Sequence, residues 1–395
     1  MKNLSLTSLC LLFLLACVDT YDPRLALNAD LVVVSAIITD QDVPQTITLS
    51  RSRSRPDSLN LSTPISRATV AVIVDGGLTV PGLEVQPGTY QLPDGFRGKI
   101  GSRYQLRFRT VDGVTYQSSV ETMVTSPPIL KAYDQFNPDG PKRTANSLPT
   151  PVNDVYIDYQ DPAGQRNFYL WRWRLYETQR WCATCRQGRY TVRDLGPVGA
   201  GPIEVLGCIR DTTLGYNNLY DYACRDLCWD IFYSTNIAIF SDIYTNGQAQ
   251  IGQKIASIPI YQLDPALIAI EQLSLSADAY RYYKLFADQV QNTGTLADSP
   301  PAPTAGNIKN LADPLENVVG YFSAAAVSVK NYKIIRTNAP VSAGQFQGLF
   351  YAQNGRSPNV ELPRGDRNVF GSGVPSALCL PGRNRTNQLP PGWNP

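Results

Sequence analysis

Not one of the 395 residues is a histidine. That absence excludes Ser-His-Asp and Cys-His nucleophilic catalysis, His-ligated zinc and imidazole pH switching together. Carboxylate, tyrosine or lysine chemistry is left. The chain also lacks GxSxG, SxxK, a P-loop and a GxGxxG that opens a helix, so the common hydrolase and nucleotide-binding signatures are missing. Nor is there an excess of charge of either sign, with 35 basic against 33 acidic residues. The one local basic run is Arg51, Arg53 and Arg55, spaced by serines that put all three on one face of an extended segment. A solvated strand edge accounts for that run, and a nucleic-acid partner would need a broader basic surface. Long apolar runs are absent after residue 15.

What is there begins at the N-terminus. Lys2 supplies a positive n-region, and Leu4 to Leu15 form an h-region within the usual range of about 7–15 residues, too short to span a bilayer as a helix. The run closes on Leu14-Leu15-Ala16-Cys17, the pattern of a bacterial lipobox. Residues 1–16 are therefore expected to be a lipoprotein signal peptide and Cys17 the acylated N-terminus. Two or three acyl chains, each buried CH2 contributing about 0.8 kcal/mol, make a stable anchor where one chain does not. An ordinary signal peptide with a coincidental cysteine is the alternative.

Of eight cysteines, Cys10 falls in the signal and Cys17 at the anchor. Cys182, Cys185, Cys208, Cys224, Cys228 and Cys379 remain. An even count in an exported chain points to disulfides, with fifteen possible connectivities. Five of the six fall between residues 182 and 228, which reads as a staple on one elaborated region. A four-thiolate zinc site from CxxC at 182–185 and CxxxC at 224–228 is an alternative. A thioredoxin-like role for Cys182-Ala-Thr-Cys185 is weaker, because that motif opens a helix in a βαβ unit and the run before this one alternates like a strand.

Periodicity predicts a mostly β protein. Residues 17–29 read as a tether. From Leu31 short strands follow, with β-branched Thr69 to Val74 ending at the Asp75-Gly76-Gly77 turn. Tyr104, Leu106 and Phe108 alternate with Gln105, Arg107 and Arg109, one buried face and one wet. About seven strands at roughly 8–12-residue spacing describe an immunoglobulin-like β-sandwich over 30–125. Thr125-Ser-Pro-Pro128 then reads as a linker. A second β-rich domain is expected over 129–336, with Tyr169, Trp171, Trp173 and Leu175 on one face of a strand and Arg172 and Arg174 opposite. One segment breaks the β pattern. Ser276 can cap a helix over about 277–292 that turns Ala279, Tyr283, Phe286 and Val290 inward, with Gly294 beyond its end. Residues 337–395 read as irregular chain held by Cys379.

A resemblance runs along the mature chain. It is carried by the lipobox, the strand Leu31–Asp40, Ala68-Thr-Val-Ala-Val72, Gly88-Thr-Tyr90, Tyr282-Tyr283-Lys284 with Asp288-Gln289, Gly306-Asn307-Ile308-Lys309-Asn310, Gly320-Tyr321-Phe322-Ser323-Ala324, and Cys379 followed by Pro391-Gly392-Trp393. In order and spacing these resemble the Bacteroidetes outer-membrane lipoproteins of domain of unknown function 4249. Many such relatives carry a second Cys shortly after the terminal one. Leu380 to Arg383 has none, which favours a long-range partner for Cys379. In the Gly320 block the plain reading is structural, with Tyr321 packing and Gly320 allowing a close approach.

The resemblance implies an accessory role beside TonB-dependent outer-membrane receptors, and it carries over no catalytic, cofactor or metal residue. Asp19 and Asp22 loosely resemble the acidic surface-export signals of such bacteria, so a surface-facing, lipid-anchored position on the outer membrane is expected. Asp57-Ser58-Leu59 and Asp211-Thr212-Thr213 resemble their O-glycosylation motif, making Ser58 and Thr212 candidates. The leading expectation is thus a non-catalytic binding subunit of a TonB-dependent transporter, its partners being the receptor and the bilayer. The 22 tyrosines and five tryptophans suit recognition, though most will pack in the core. Two other classes are a structural protein bridging envelope partners and a carboxylate-dependent hydrolase using Asp158 and Asp161.

Overall fold

A computed structural model describes residues 31–52, 62–141, 150–194, 204–291, 305–336, 339, 346–362 and 374–393. Cys17, Ser58 and Gly294 lie outside these residues. Among the described residues the protein is mostly β, with strands in several sheets and two helices, Ala277–Gln291 and Leu349–Asn354. The strands expected over 30–125 belong to one eleven-stranded sheet. Their alternation is the expected one: Tyr104, Leu106 and Phe108 are buried while Arg103, Arg107 and Arg109 are exposed. Val32, Val34, Ala36 and Ile38 face the same core.

That sheet nearly closes on itself. Its two ends, Ile308–Asn310 and Val318–Ala325, come from far along the chain. Val318–Ala325 lies parallel to Val32–Thr39, the single parallel strand ladder among the described residues, with Gly320 opposite Val34. Here the close approach expected of Gly320 is real. Its φ is +101°, and a Cβ would stand 1.8 Å from the Val34 carbonyl oxygen. Between the two end strands a side chain completes the seam. The Asn307 amide donates to the Phe322 carbonyl at 2.8 Å and its oxygen accepts the Phe322 N–H at 2.9 Å, so a carboxamide does what a neighbouring backbone would do. Residues 305–325 fall within the 129–336 unit that the sequence pattern suggests, yet their ladders lie in the N-terminal sheet, because a β pattern fixes which face is buried and not which strand is the neighbour.

The middle of the chain stacks two sheets. One joins Ile129–Asn137, Val152–Gln160 and Ala249–Pro259. The other is six-stranded and centred on Ala266–Ser274 and Phe168–Thr178. Val155, Ile157 and Tyr159 of the first pack on Tyr169, Trp171, Ile268 and Ile270 of the second. Arg172 and Arg174, on the opposite face, both pair with Glu271. At the sheet's end Glu177 and Arg336 form an ion pair with both side chains fully buried, 2.6 Å apart.

The helix Ala277–Gln291 starts where expected. Ser276 Oγ accepts the Ala279 N–H at 3.1 Å and donates to Glu121 at 2.6 Å, so one residue caps the helix and ties it to the N-terminal sheet. Its inward face differs from the expected one. Ala279 and Ala287 are buried, whereas Phe286 is 39% exposed. Tyr282 lies between Phe286 and Tyr321, stacking on the first at 6.3 Å and tilted on the second at 5.0 Å, and this turns the stripe one residue away from Phe286.

Candidate functional site

The elaborated region grows from the end of strand Phe168–Thr178. Trp181–Arg186 pairs with Leu219–Ala223, and Gly188–Asp194 forms a hairpin with Glu204–Arg210. Gly188 is required there, since a Cβ would stand 2.6 Å from the Ile209 carbonyl oxygen. The core beneath is small: Cys185, Tyr190, Tyr222 and Ala377 are its buried members. So little apolar area does not hold a lobe by itself, and covalent links supply what burial cannot.

All six cysteines among the described residues are paired. Cys182 bonds to Cys224, Cys185 to Cys208, and Cys228 to Cys379. The long-range partner expected for Cys379 is therefore Cys228, 151 residues away. The sulfurs of Cys182, Cys224 and Cys228 lie within 4.8 Å of one another, yet each is spent in a disulfide and offers no thiolate. Cys182 and Cys185 belong to different disulfides, so the CxxC is not itself a redox pair.

Buried acids then clamp the C-terminal segment over this lobe. Asp221 has no exposed surface and meets Arg356 through both carboxylate oxygens, with Thr184 Oγ1 donating at 2.7 Å and the Asn359 N–H at 2.8 Å. Burial pushes the Asp221 carboxyl up, but these donors outweigh it and hold it below its ordinary value. Glu361, 2% exposed, takes the Tyr222 hydroxyl at 2.6 Å and an ion pair from Arg189. Asp230 takes Arg385 at 2.7 Å, Gln179 at 2.6 Å and Gln353 at 2.8 Å. Trp393 closes edge-on over Trp229 at 6.3 Å, with Lys333 above its ring.

Sequence reasoning named none of Asp221, Asp230 or Glu361. Their partners stand as far as 172 residues away, and nothing local marks them. A cavity of about 350 Å3 opens beside Asp230, Phe232, Gln353, Asn384 and Arg385. Its two charged groups satisfy each other.

Three leucines stand exposed on the lobe. Leu227 and Leu380 each adjoin the Cys228–Cys379 bond and are 64% and 72% exposed. Leu362, next to the clamped Glu361, is 82% exposed. Thr212 is exposed in the turn after the hairpin, beside Asp211, whose carboxyl is held low by the Thr213 hydroxyl and by Arg189.

The carboxylates named for hydrolysis do not converge. Asp158 sits on the outer face of its strand and accepts the Gly252 N–H. Asp161 is buried at the strand's end, bound to the Tyr169 hydroxyl and the Gly247 N–H.

A mostly β, disulfide-stapled protein with a clamped C-terminus is the class that this geometry defines. Residues 18–331 match the family model described as Domain of unknown function (DUF4249), and the chain belongs to that family. No curated protein and no solved structure matches it.

Proposed function

We propose that the chain is an outer-membrane lipoprotein, anchored through an acylated Cys17, and a non-catalytic accessory or binding subunit of a TonB-dependent transporter. The observation that carries this reading is the stapled lobe: Leu227, Leu380 and Leu362 are exposed on chain that disulfides and buried ion pairs hold in place. Apolar residues at a fixed, desolvatable surface suit docking, because a pre-organised surface loses less entropy on association. The receptor type follows from the family resemblance in the sequence. A lipid anchor confines the lobe to the membrane plane and raises its effective concentration beside a receptor without demanding a tight interface. A stable complex should bury on the order of 1,200–2,000 Å2 in total.

One observation favours a second reading, a structural protein bridging envelope partners. Strand Leu78–Gln86 of the N-terminal sheet leaves Leu83 and Val85 more than half exposed on its outer face and Leu78 exposed at its start, so apolar side chains are also exposed on a different sheet. Gentle solubilisation of the membrane and capture of the lipoprotein separates the two. Co-purification of a barrel receptor in proportion to the bait supports the accessory role. A partner set without any barrel, together with unchanged nutrient uptake in a deletion strain, overturns it.

A further inference from the structure

Two buried carboxylates stand at one end of the central sandwich with, among the described residues, no cationic side chain to balance them. Asp161 ends strand Val152–Gln160, and Asp242 follows strand Ala238–Ser241; they are 1% and 0% exposed. Among the described residues neither has an ion-pair partner. Asp161 accepts the Tyr169 hydroxyl at 2.7 Å on Oδ1 and the Gly247 N–H at 3.0 Å on Oδ2. Asp242 Oδ2 accepts the Asn167 amide at 3.3 Å, while its buried Oδ1 has no partner. Two more buried oxygens of the same neighbourhood are unpartnered, the Tyr159 hydroxyl and Thr245 Oγ1.

Burial, and then the charges of Asp161 and Asp242, push the Tyr159 phenol far up. Its hydroxyl thus lies in the field of both carboxylates and keeps its proton. Buried polar atoms are almost always satisfied, and buried charges are almost always paired or bound to a metal. An ordered water would satisfy the orphan oxygens but leave the two buried carboxylates without a counter-ion. A divalent cation does both. All the donors are oxygens, which selects a hard ion, and a lining drawn from two irregular loops suits the adaptable coordination of calcium over the strict octahedron of magnesium.

We propose that Asp161, Asp242 and Thr245, with the Tyr159 hydroxyl beside them, line a calcium site that ties the loop 161–167 to the loop 242–248. Between Asp242 and Thr245 the second loop presents Ile243 and Tyr244, 52% and 89% exposed. Bound calcium would therefore order a segment that offers an aromatic residue to its surroundings. This inference does not depend on the transporter reading.

The test uses the full mature chain stripped with EDTA. Terbium, a calcium mimic, should give saturable luminescence sensitised by the nearby Tyr159 and Trp171, at one ion per chain. Excess calcium should reverse it and equal magnesium should not. Adding 1 mM calcium should raise Tm by roughly 5 °C. Asp242→Asn should abolish both responses, and Asp313→Asn, at an exposed acid, should leave them intact. Should Asp242→Asn fail to fold, Thr245→Val, which removes one donor and no charge, should weaken calcium binding at least tenfold. Equal melting in EDTA and calcium with no saturable terbium signal, or a signal that survives Asp242→Asn, overturns the site.

Discussion

Removing the Cys228–Cys379 bond tests how the lobe is held. The perturbation is the double variant Cys228→Ala/Cys379→Ala, which leaves no odd thiol to scramble the other pairs. Loop length sets the magnitude. In the chain-entropy model a link closing 151 residues stabilises by about 5 kcal/mol, against about 3.4 kcal/mol for the 23-residue Cys185–Cys208 loop. Native disulfides measured in practice give about 2–5 kcal/mol on removal. The non-covalent clamps persist in the variant: Asp230 still meets Arg385, and Trp393 still packs on Trp229. The loss should therefore show first as local opening of residues 374–393, with the central sandwich intact. Urea titration followed by tryptophan fluorescence, where Trp393 reports the tail, together with limited proteolysis, reads both. We expect an early transition in the variant, displaced by about 2–5 kcal/mol, and tail cleavage before any cut in the sandwich. A shift below about 1 kcal/mol with tail protection unchanged would refute the argument that this bond holds the C-terminus.

Further outcomes follow from the same geometry. Glu177→Gln strands the buried Arg336 charge, and the urea midpoint should report a loss of about 3–5 kcal/mol; a near-neutral result contradicts the pairing. Asn307→Ala leaves the Phe322 N–H and carbonyl without their partner at the seam, so amide exchange in 318–325 should quicken and stability should fall by about 1–3 kcal/mol. For pH, the Asp221 carboxyl lies below its ordinary 3.8 in the folded chain. Its contribution is therefore complete above that value and is lost as pH falls through the lower folded-state value. Asp221→Asn should flatten the acid limb of a pH–stability curve below about pH 4, and an unchanged limb counts against the clamp.

Some of this architecture was legible because it is local. Tyr104, Leu106 and Phe108 share a face by the two-residue period of a strand, and Ser276 declares its helix by its position before Asp278. The even cysteine count declared three disulfides. Partner identity is not local. Nothing in Val318–Ala325 says that it lies parallel to Val32–Thr39, and nothing near Glu177 announces Arg336, 159 residues on. The inward face of the helix is not legible because a helical period leaves Phe286 and Ala287 only one position apart, and the contact of Tyr282 with Tyr321 is tertiary. The candidate lobe is visible as a cysteine cluster, whereas nothing local marks its clamps Asp221, Asp230 and Glu361, whose partners lie far along the chain.

Docking of the stapled lobe on a barrel receptor, as proposed above, can be tested directly. Placing a photo-crosslinking residue at position 380, and separately at 78 on the N-terminal sheet as a comparison, tests it in the living cell. The proposal predicts a crosslinked species at 380 whose second component is a TonB-dependent receptor, weak or missing at 78. Crosslinking confined to position 78, or a partner at 380 that is never a barrel, contradicts it.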